Sequence, residues 1–358
     1  MTVEITADVH ERLAGYRDRF EPLFARYFDT LAQQQLPHSS FVPEALELVR
    51  DMSLRGGKRL RVALLYEAAR LVTPDPVEGL EEAALSIELL QTHGLIHDDI
   101  VDDSPVRRGA RSVYYAYRDR YPDREQTALG LAVLAGDLAA FWSVQVLLCA
   151  PVSRELCQAM AAVQATAGAD TVVGQVLDLE RDFGPLPDRE VLDAVSEYKS
   201  ARYSVLAPLQ LGLLAAGADP AGHHEELARY ARLVGVSGQL RDDYLDLFAD
   251  TATVGKPTGS DLRAGRRSYA VCALLGATAG RDRELVEAAL ADPDCPPEMV
   301  EQVQGIARHH GVDRQLRADS RRIAQDAAAV AAGWRGRWRA DAVEFFEHLP
   351  LWGAQRIS

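Results

Sequence analysis

GLIHDDIVD, residues 94–102, follows the apolar run AALSIELL and carries Asp98, Asp99 and Asp102, with Asp103 next in line. On a helix Asp98 and Asp102 are i and i+4, and so are Asp99 and Asp103. Like charges at that spacing destabilise a helix by about 0.2–0.5 kcal/mol per pair. A solvated helix end tolerates this, and so does a site where a divalent cation offsets the charge. A second copy favours the site: GQLRDDYLD, residues 238–246, repeats the glycine, the Asp-Asp pair and the final Asp, so Asp242, Asp243 and Asp246 correspond to Asp98, Asp99 and Asp102. Both copies lie in segments of helical periodicity. Two such helices facing each other would make an oxygen-lined site suited to Mg²⁺, which keeps its waters and bridges to phosphates. His, Cys and Glu are sparse in the motifs, against zinc or a di-iron centre.

The chain has 358 residues, 47% of them hydrophobic, enough for a large core. A net charge of -14 argues against a nucleic-acid partner. The four cysteines, Cys149, Cys157, Cys272 and Cys295, form no CxxC pair and read as reduced thiols or small core residues. The charged N-terminal stretch lacks an apolar signal core, and no uninterrupted apolar run reaches the roughly 18 residues of a bilayer span, so the expectation is a soluble cytoplasmic protein without a membrane span.

Ala, Leu, Glu and Arg dominate and strand signals are weak, which predicts helices separated by Pro and Gly. Pro208 lies inside the periodic segment 188–217 and should kink it. Asp98 and Asp242 are 144 positions apart. Sharing metals requires them to meet at one rim of a closed bundle around a central cavity. The expected architecture is one all-α domain over 1–358.

Anionic substrates need cations, and these recur near both motifs. GGKRLR (56–61) offers Lys58, Arg59 and Arg61; VRRG (106–109) offers Arg107 and Arg108; YKSARY (198–203) holds Lys199; GKPTGSD (255–261) holds Lys256; GRRS (265–268) holds Arg266 and Arg267. Arg recognises phosphate bidentately and Lys acts as a point charge. Two anion sites follow, one built on Asp–Mg²⁺ bridges and one on Lys and Arg alone. That asymmetry suits a reaction in which one diphosphate leaves and the other stays.

Together these motifs, in this order, resemble the trans-polyprenyl diphosphate synthases, the family that includes farnesyl and geranylgeranyl diphosphate synthases. The resemblance implies an all-α isoprenoid-synthase bundle, usually a homodimer, that joins isopentenyl diphosphate to an allylic diphosphate. It assigns Asp98, Asp102 and Asp242 to three Mg²⁺ ions that grip the allylic diphosphate, with Asp99, Asp243 and Asp246 as near ligands or supports. Arg107, Lys199 and Lys256 would touch that diphosphate, and Gln175 and Asp178 of GQVLD would sit beside the metals. Lys58, Arg61, Gln91 and Arg108 would hold isopentenyl diphosphate. Lys199, Ser200 and Gln239 would lie near the allylic cation. The sequence departs from the common pattern at Val62, Ser200, Arg266 and Ser268, where Pro, Thr, Lys and Thr are usual; charge or hydroxyl is kept at the last three.

Product length is read from the helix upstream of the first motif. In the resembled family, bulky aromatics four and five positions before the first Asp shorten the product. Here those positions are Gly94, which leaves room, and His93, a medium ring. Passage beyond them and a stop at Leu90 or Leu89 predicts geranylgeranyl diphosphate (C20), with farnesyl diphosphate (C15) the alternative if His93 enters the cavity. His97 reads as a packed, hydrogen-bonded histidine. A class I terpene cyclase is disfavoured by the intact GGKRLR and by a second motif made of aspartates. A non-catalytic synthase subunit is disfavoured because neither Asp motif is lost.

Overall fold

The helical periodicity becomes helices almost end to end. The computed structural model describes residues 2–33, 39–249 and 258–355. In order come α1 (Thr2–Ala32), α2 (Phe41–Leu54), α3 (Leu60–Val72), α4 (Leu80–Val101), β1 (Val106–Arg107), β2 (Ala110–Arg111), α5 (Val113–Arg120), α6 (Glu125–Leu148) and α7 (Arg154–Glu180). Then follow α8 (Arg189–Ser196), a π-helix (Glu197–Leu206), α9 (Ala207–Ala215) and α10 (His224–Phe248). Shorter helices after α10 lead to two longer ones, Val312–Ala332 and Ala340–Gln355. The all-α expectation holds.

The chain falls into two compact units. One comprises 7–169 and 207–223; the other comprises 1–6, 170–206 and 224–358. In the first, α4 runs beside α6 and also packs on α3, α2 and α9. Its Ile87, Leu89, Leu90 and Ile96 are buried. The buried face of α6 is built of small residues, Ala128, Ala132, Ala135, Gly136 and Ala139, which lets a neighbouring helix approach closely. On α1, Phe20, Phe24 and Phe28 repeat every four residues as one fully buried stripe, with ring centroids 5.1 and 5.2 Å apart. Each such burial contributes about 1.5–3 kcal/mol before the entropy of ordering is set against it.

In the second unit α10 is the central helix. It packs on Val312–Ala332, on the π-helix and on Ala340–Gln355. Val236, Leu240 and Leu247 of α10 join Tyr269, Leu274, Val303, Leu316 and Ile323 in one core. Tyr230, Trp334 and Phe346 close the other end, with centroids 5.1–5.9 Å apart and the Tyr230 hydroxyl donating to the Phe346 carbonyl at 2.9 Å.

Three local expectations change. The segment holding Pro208 is not simply kinked. Proline lacks an N–H and its ring crowds the carbonyl one turn back, and the chain ahead of it winds as ten residues of π-helix, with Pro208 the second residue of α9. Second, strands do occur among the described residues, as a hairpin with Val106 opposite Arg111 and Arg107 opposite Ala110. Arg108 and Gly109 turn it with φ of 53° and 76°, the left-handed pair of a type I′ turn. Third, among the described helices α6 is long and apolar enough to cross a membrane, although no apolar run in the sequence is unbroken to that length.

Candidate active site

The first aspartate motif ends α4. Asp99 is fully buried, Asp98 half-buried, and Asp102 is the helix C-cap. Arg107, delivered by the hairpin, forks across both neighbours: Nε donates to Asp99 Oδ1 at 2.7 Å and Nη2 to Asp98 Oδ2 at 2.9 Å. Burial pushes the Asp99 carboxyl up to about 6 against the lowering pull of Arg107, and Asp98 and Asp102 push the same way. Asp99 Oδ2 is buried with no hydrogen-bond partner among the described residues. A hard divalent cation fits this donor set: carboxylate oxygens only, excess negative charge and an unsatisfied oxygen.

The second motif lies on α10. Asp242 is 58% exposed at its side chain and pairs with Arg241. Asp243 and Asp246 are buried. Gln239 Nε2 donates to Asp243 Oδ1 and the Tyr269 N–H to Oδ2, both at 2.7 Å. Burial first, then the Asp261 charge, raises the Asp243 carboxyl well above the usual range. Asp246 accepts from the Ser260 hydroxyl and, at 3.0 Å, from the Asp261 N–H. Only Asp242 of the three is thus open to solvent, while the other two also organise the 258–269 segment.

A cavity of about 80 Å³ in this unit gathers Asp178, Lys199, Ser200, Gln239 and Asp243, all singled out in the sequence, with Arg181, Asp261 and Arg266. Lys199 Nζ donates to Asp178 Oδ2 at 2.6 Å, and Arg181 lies 2.8 Å from the other Asp178 oxygen. Gly174 makes this possible: a Cβ there would sit 2.1 Å from the Lys199 backbone nitrogen, so only glycine lets α7 reach the π-helix. Gln175 Nε2 is buried without a hydrogen-bond partner among the described residues. Arg181 was missed, although its i+3 spacing from Asp178 is a readable signal. Lys256 lies outside the described residues.

The other cations converge in the first unit. Lys58 is exposed, Arg61 partly so, and Gln91 is buried on α4. Arg108 Nη1 donates to the Gly56 carbonyl at 2.6 Å, bringing the hairpin onto the GGKRLR turn. Burial lowers the Arg108 pKa; Glu88 opposes this, and Arg59, Arg61 and Arg107 reinforce it. Such crowding of like charge favours an anion. Arg59, not assigned a role from the sequence, anchors the turn. It is buried in a left-handed conformation (φ 47°) and donates to Glu21 at 2.7 Å, Glu88 at 2.5 Å and the Ser53 carbonyl at 2.7 Å.

On α4 the residues named for product length divide between two directions. His93 Nδ1 sits 3.1 Å from the Gly136 carbonyl of α6, and burial, then His97, lowers its pKa. A Cβ on Gly94 would meet open space. Leu90 is buried and approaches Gly168 of α7, and Leu89 is fully buried.

A family model described as polyprenyl synthetase matches residues 43–306. The chain belongs to the polyprenyl synthetase family. Among its relatives, a short chain isoprenyl diphosphate synthase of Methanothermobacter thermautotrophicus is 29% identical over 280 residues, 75% of this chain and 79% of that protein. A farnesyl diphosphate synthase of Geobacillus stearothermophilus is 32% identical over 281 residues, 75% of this chain and 86% of that protein. A solved geranylgeranyl pyrophosphate synthase from Corynebacterium glutamicum, complexed with isoprenyl diphosphate and magnesium, superposes with a TM-score of 0.79 at 25% identity, covering 99% of both chains. This polyprenyl synthetase is a prenyltransferase of the short-chain prenyl diphosphate synthase kind.

The Arg59 anchor generates a stability prediction. Arg59→Met leaves the buried Glu88 charge and the half-buried Glu21 charge without this partner, a loss of about 3–5 kcal/mol for a broken buried pair. Urea denaturation should show this loss, and an unchanged midpoint would show that the turn is held by other contacts.

Proposed function

We propose that this synthase condenses isopentenyl diphosphate with an allylic diphosphate, head to tail, and releases geranylgeranyl diphosphate as its main product. The observation that carries this reading is the seating of Arg108 on the Gly56–Gly57 turn, with Arg61 close enough to act on its charge. It supports a cationic clamp for a diphosphate that stays, set apart from the aspartates that serve the diphosphate that leaves. Lys58, Arg61, Gln91 and Arg108 hold isopentenyl diphosphate. Asp98, Asp102 and Asp242 bind three Mg²⁺ ions with the allylic diphosphate, and Asp99, Asp243 and Asp246 keep those ligands aligned. Bound magnesium supplies neutralisation of the charge that develops as the allylic carbon–oxygen bond breaks.

Arg107, Lys199 and Lys256 then contact the departing diphosphate. For Arg107 and Lys199 this means exchanging an aspartate partner for a phosphate one. Gln175 and Asp178 steady Lys199, and the Ser200 hydroxyl and Gln239 amide lie toward the allylic cation. The alkene of isopentenyl diphosphate attacks that cation, and the proton is lost to the released diphosphate. This reading requires residues 1–358 to work as a single catalytic domain in which both aspartate motifs serve one substrate. We further propose a cytoplasmic homodimer. Leu134, Phe141 and Leu148 repeat every seven residues as an exposed apolar stripe on α6, and Phe141 is 75% exposed. A second copy of the chain covering that stripe accounts for a helix apolar enough to span a membrane.

The metal assignment is tested by Asp98→Ala and Asp242→Ala. Each should nearly abolish turnover while the helical circular dichroism is retained, because the lost ligand acts on the ionising transition state. Rates near wild type at saturating Mg²⁺ in either variant would refute it.

Product length is tested on α4. His93 turns toward Gly136, while Gly94 has open space beside it and Leu90 lies one helical turn, about 5.4 Å, further on. That favours Leu90 over His93 as the stop, and C20 over C15. Gly94→Phe should shorten the main product and Leu90→Ala should lengthen it, as read by mass analysis. An unchanged distribution in both variants would remove the basis for C20.

A further inference from the structure

One cluster of ligand-type side chains uses none of the motif aspartates, although its His97 directly precedes Asp98 on α4. His93 and His97 are i and i+4 on α4, their ring centroids 4.4 Å apart, and Asp137 reaches toward them from α6. One ligand atom from each of the three lies within 4.8 Å of the other two. All three side chains are half-buried. We propose that His93, His97 and Asp137 form a second metal site, selective for a borderline divalent ion of the Zn²⁺, Co²⁺ or Ni²⁺ class.

The ligand set separates this site from the aspartates by chemistry. Two imidazoles one turn apart on a helix, completed by one carboxylate from a neighbouring helix, are a donor set for a tetrahedral or five-coordinate ion with a place left for water. Mg²⁺ prefers oxygen ligands and goes to the aspartate motifs instead. Ligands about 2.0–2.2 Å from a tetrahedral ion lie roughly 3.4 Å from one another. The His97 Nε2 to Asp137 Oδ1 distance is already 3.5 Å, so these two ligands stand near coordinating separation and the third has to close in.

Two further features favour the site. His93 Nδ1 lies 3.1 Å from the Gly136 carbonyl oxygen. Donation from Nδ1 fixes the tautomer and leaves Nε2 with its lone pair, the arrangement by which a backbone carbonyl orients a metal-bound imidazole. His97 Nε2 lies 3.2 Å from the Val133 carbonyl oxygen, a contact that gives way to the coordinate bond on loading. Gly136 also opens the space: a Cβ there would come within 2.2 Å of the His97 ring. Glycine inside a helix is less favourable than alanine by about 1 kcal/mol, and here that loss gives the imidazoles their seat on α6. A bound ion would tie α4 to α6 over the turn that leads directly into Asp98.

The test is titration of the purified full-length protein with Co²⁺ in a large excess of Mg²⁺, read by visible absorption. Tetrahedral or five-coordinate Co²⁺ with nitrogen ligands absorbs strongly, whereas octahedral oxygen sites absorb weakly. The expected result is one strongly absorbing Co²⁺ per chain, displaced by Zn²⁺. Binding should weaken at least 100-fold in His93→Gln and in Asp137→Asn, and the spectrum should persist in Asp242→Asn. Asp137→Asn, half-exposed and close to isosteric, covers the case in which the His93 variant fails to fold. Absence of the strong bands at millimolar Co²⁺, or an unchanged titration in Asp137→Asn, would overturn the site and leave the histidines a packing role. Because the readout is spectroscopic, it stands or falls independently of the prenyl-transfer chemistry.

Discussion

Carboxylates of like charge held close together on helix ends are the constraint from which the rest of this structure follows. Asp98, Asp99 and Asp102 crowd the end of α4, and Arg107 spans only two of them. Asp243 is buried beside the Asp261 charge and rises in pKa accordingly. Asp178 is met by Lys199 and Arg181. In water such groups would simply repel; partly buried, each needs a proton, an ion pair or a metal. The chain supplies its own cations at two of these places, and both Arg107 and Lys199 are side chains that also suit a diphosphate oxygen.

The backbone is shaped to deliver those cations. Arg107 and Arg108 stand on a hairpin of two residues per strand, and Arg108 closes it onto the Gly56–Gly57 turn. Arg59, strained into the left-handed region, is held there by Glu21, Glu88 and the Ser53 carbonyl. Lys199 stands on a π-helix that α7 approaches through Gly174. π-Segments are rare in proteins and recur at functional sites. Here the π-helix absorbs the disturbance ahead of Pro208 and presents Lys199 and Ser200 to one cavity with Asp178 and Asp243.

Much of this was legible in the sequence. The repeated aspartate motif, the helical periodicity and the recurrence of basic clusters beside them pointed to an all-α fold and to the family. GQVLD stood out only through the family resemblance, and that its glycine meets the Lys199 backbone and its Asp178 the Lys199 ammonium is visible only in the fold. The hairpin was not legible, because two-residue strands carry no alternation to read. The π-helix was not, because Pro208 signals a break but not where the chain absorbs it. Arg59 sits among other basic residues and differs from them only in its long-range partners, Glu21 and Glu88, which no local pattern shows. The direction of His93 was not legible either, because its contact with Gly136 depends on α6, 43 residues away.

The central claim is that the buried Asp243 carboxyl, raised in pKa by burial and by the Asp261 charge, holds a proton until a divalent cation binds beside it. A cation bound close to a carboxyl favours its charged form. The direct measurement is calorimetric titration of Mg²⁺ with inorganic diphosphate at pH 7, in two buffers of different ionisation enthalpy, for wild type and for Asp243→Asn. Asp243, raised in pKa, should give up its proton on loading, so wild type should release more protons to the buffer than the variant does. Equal release from both proteins would contradict the claim that the buried carboxylate waits in its protonated form.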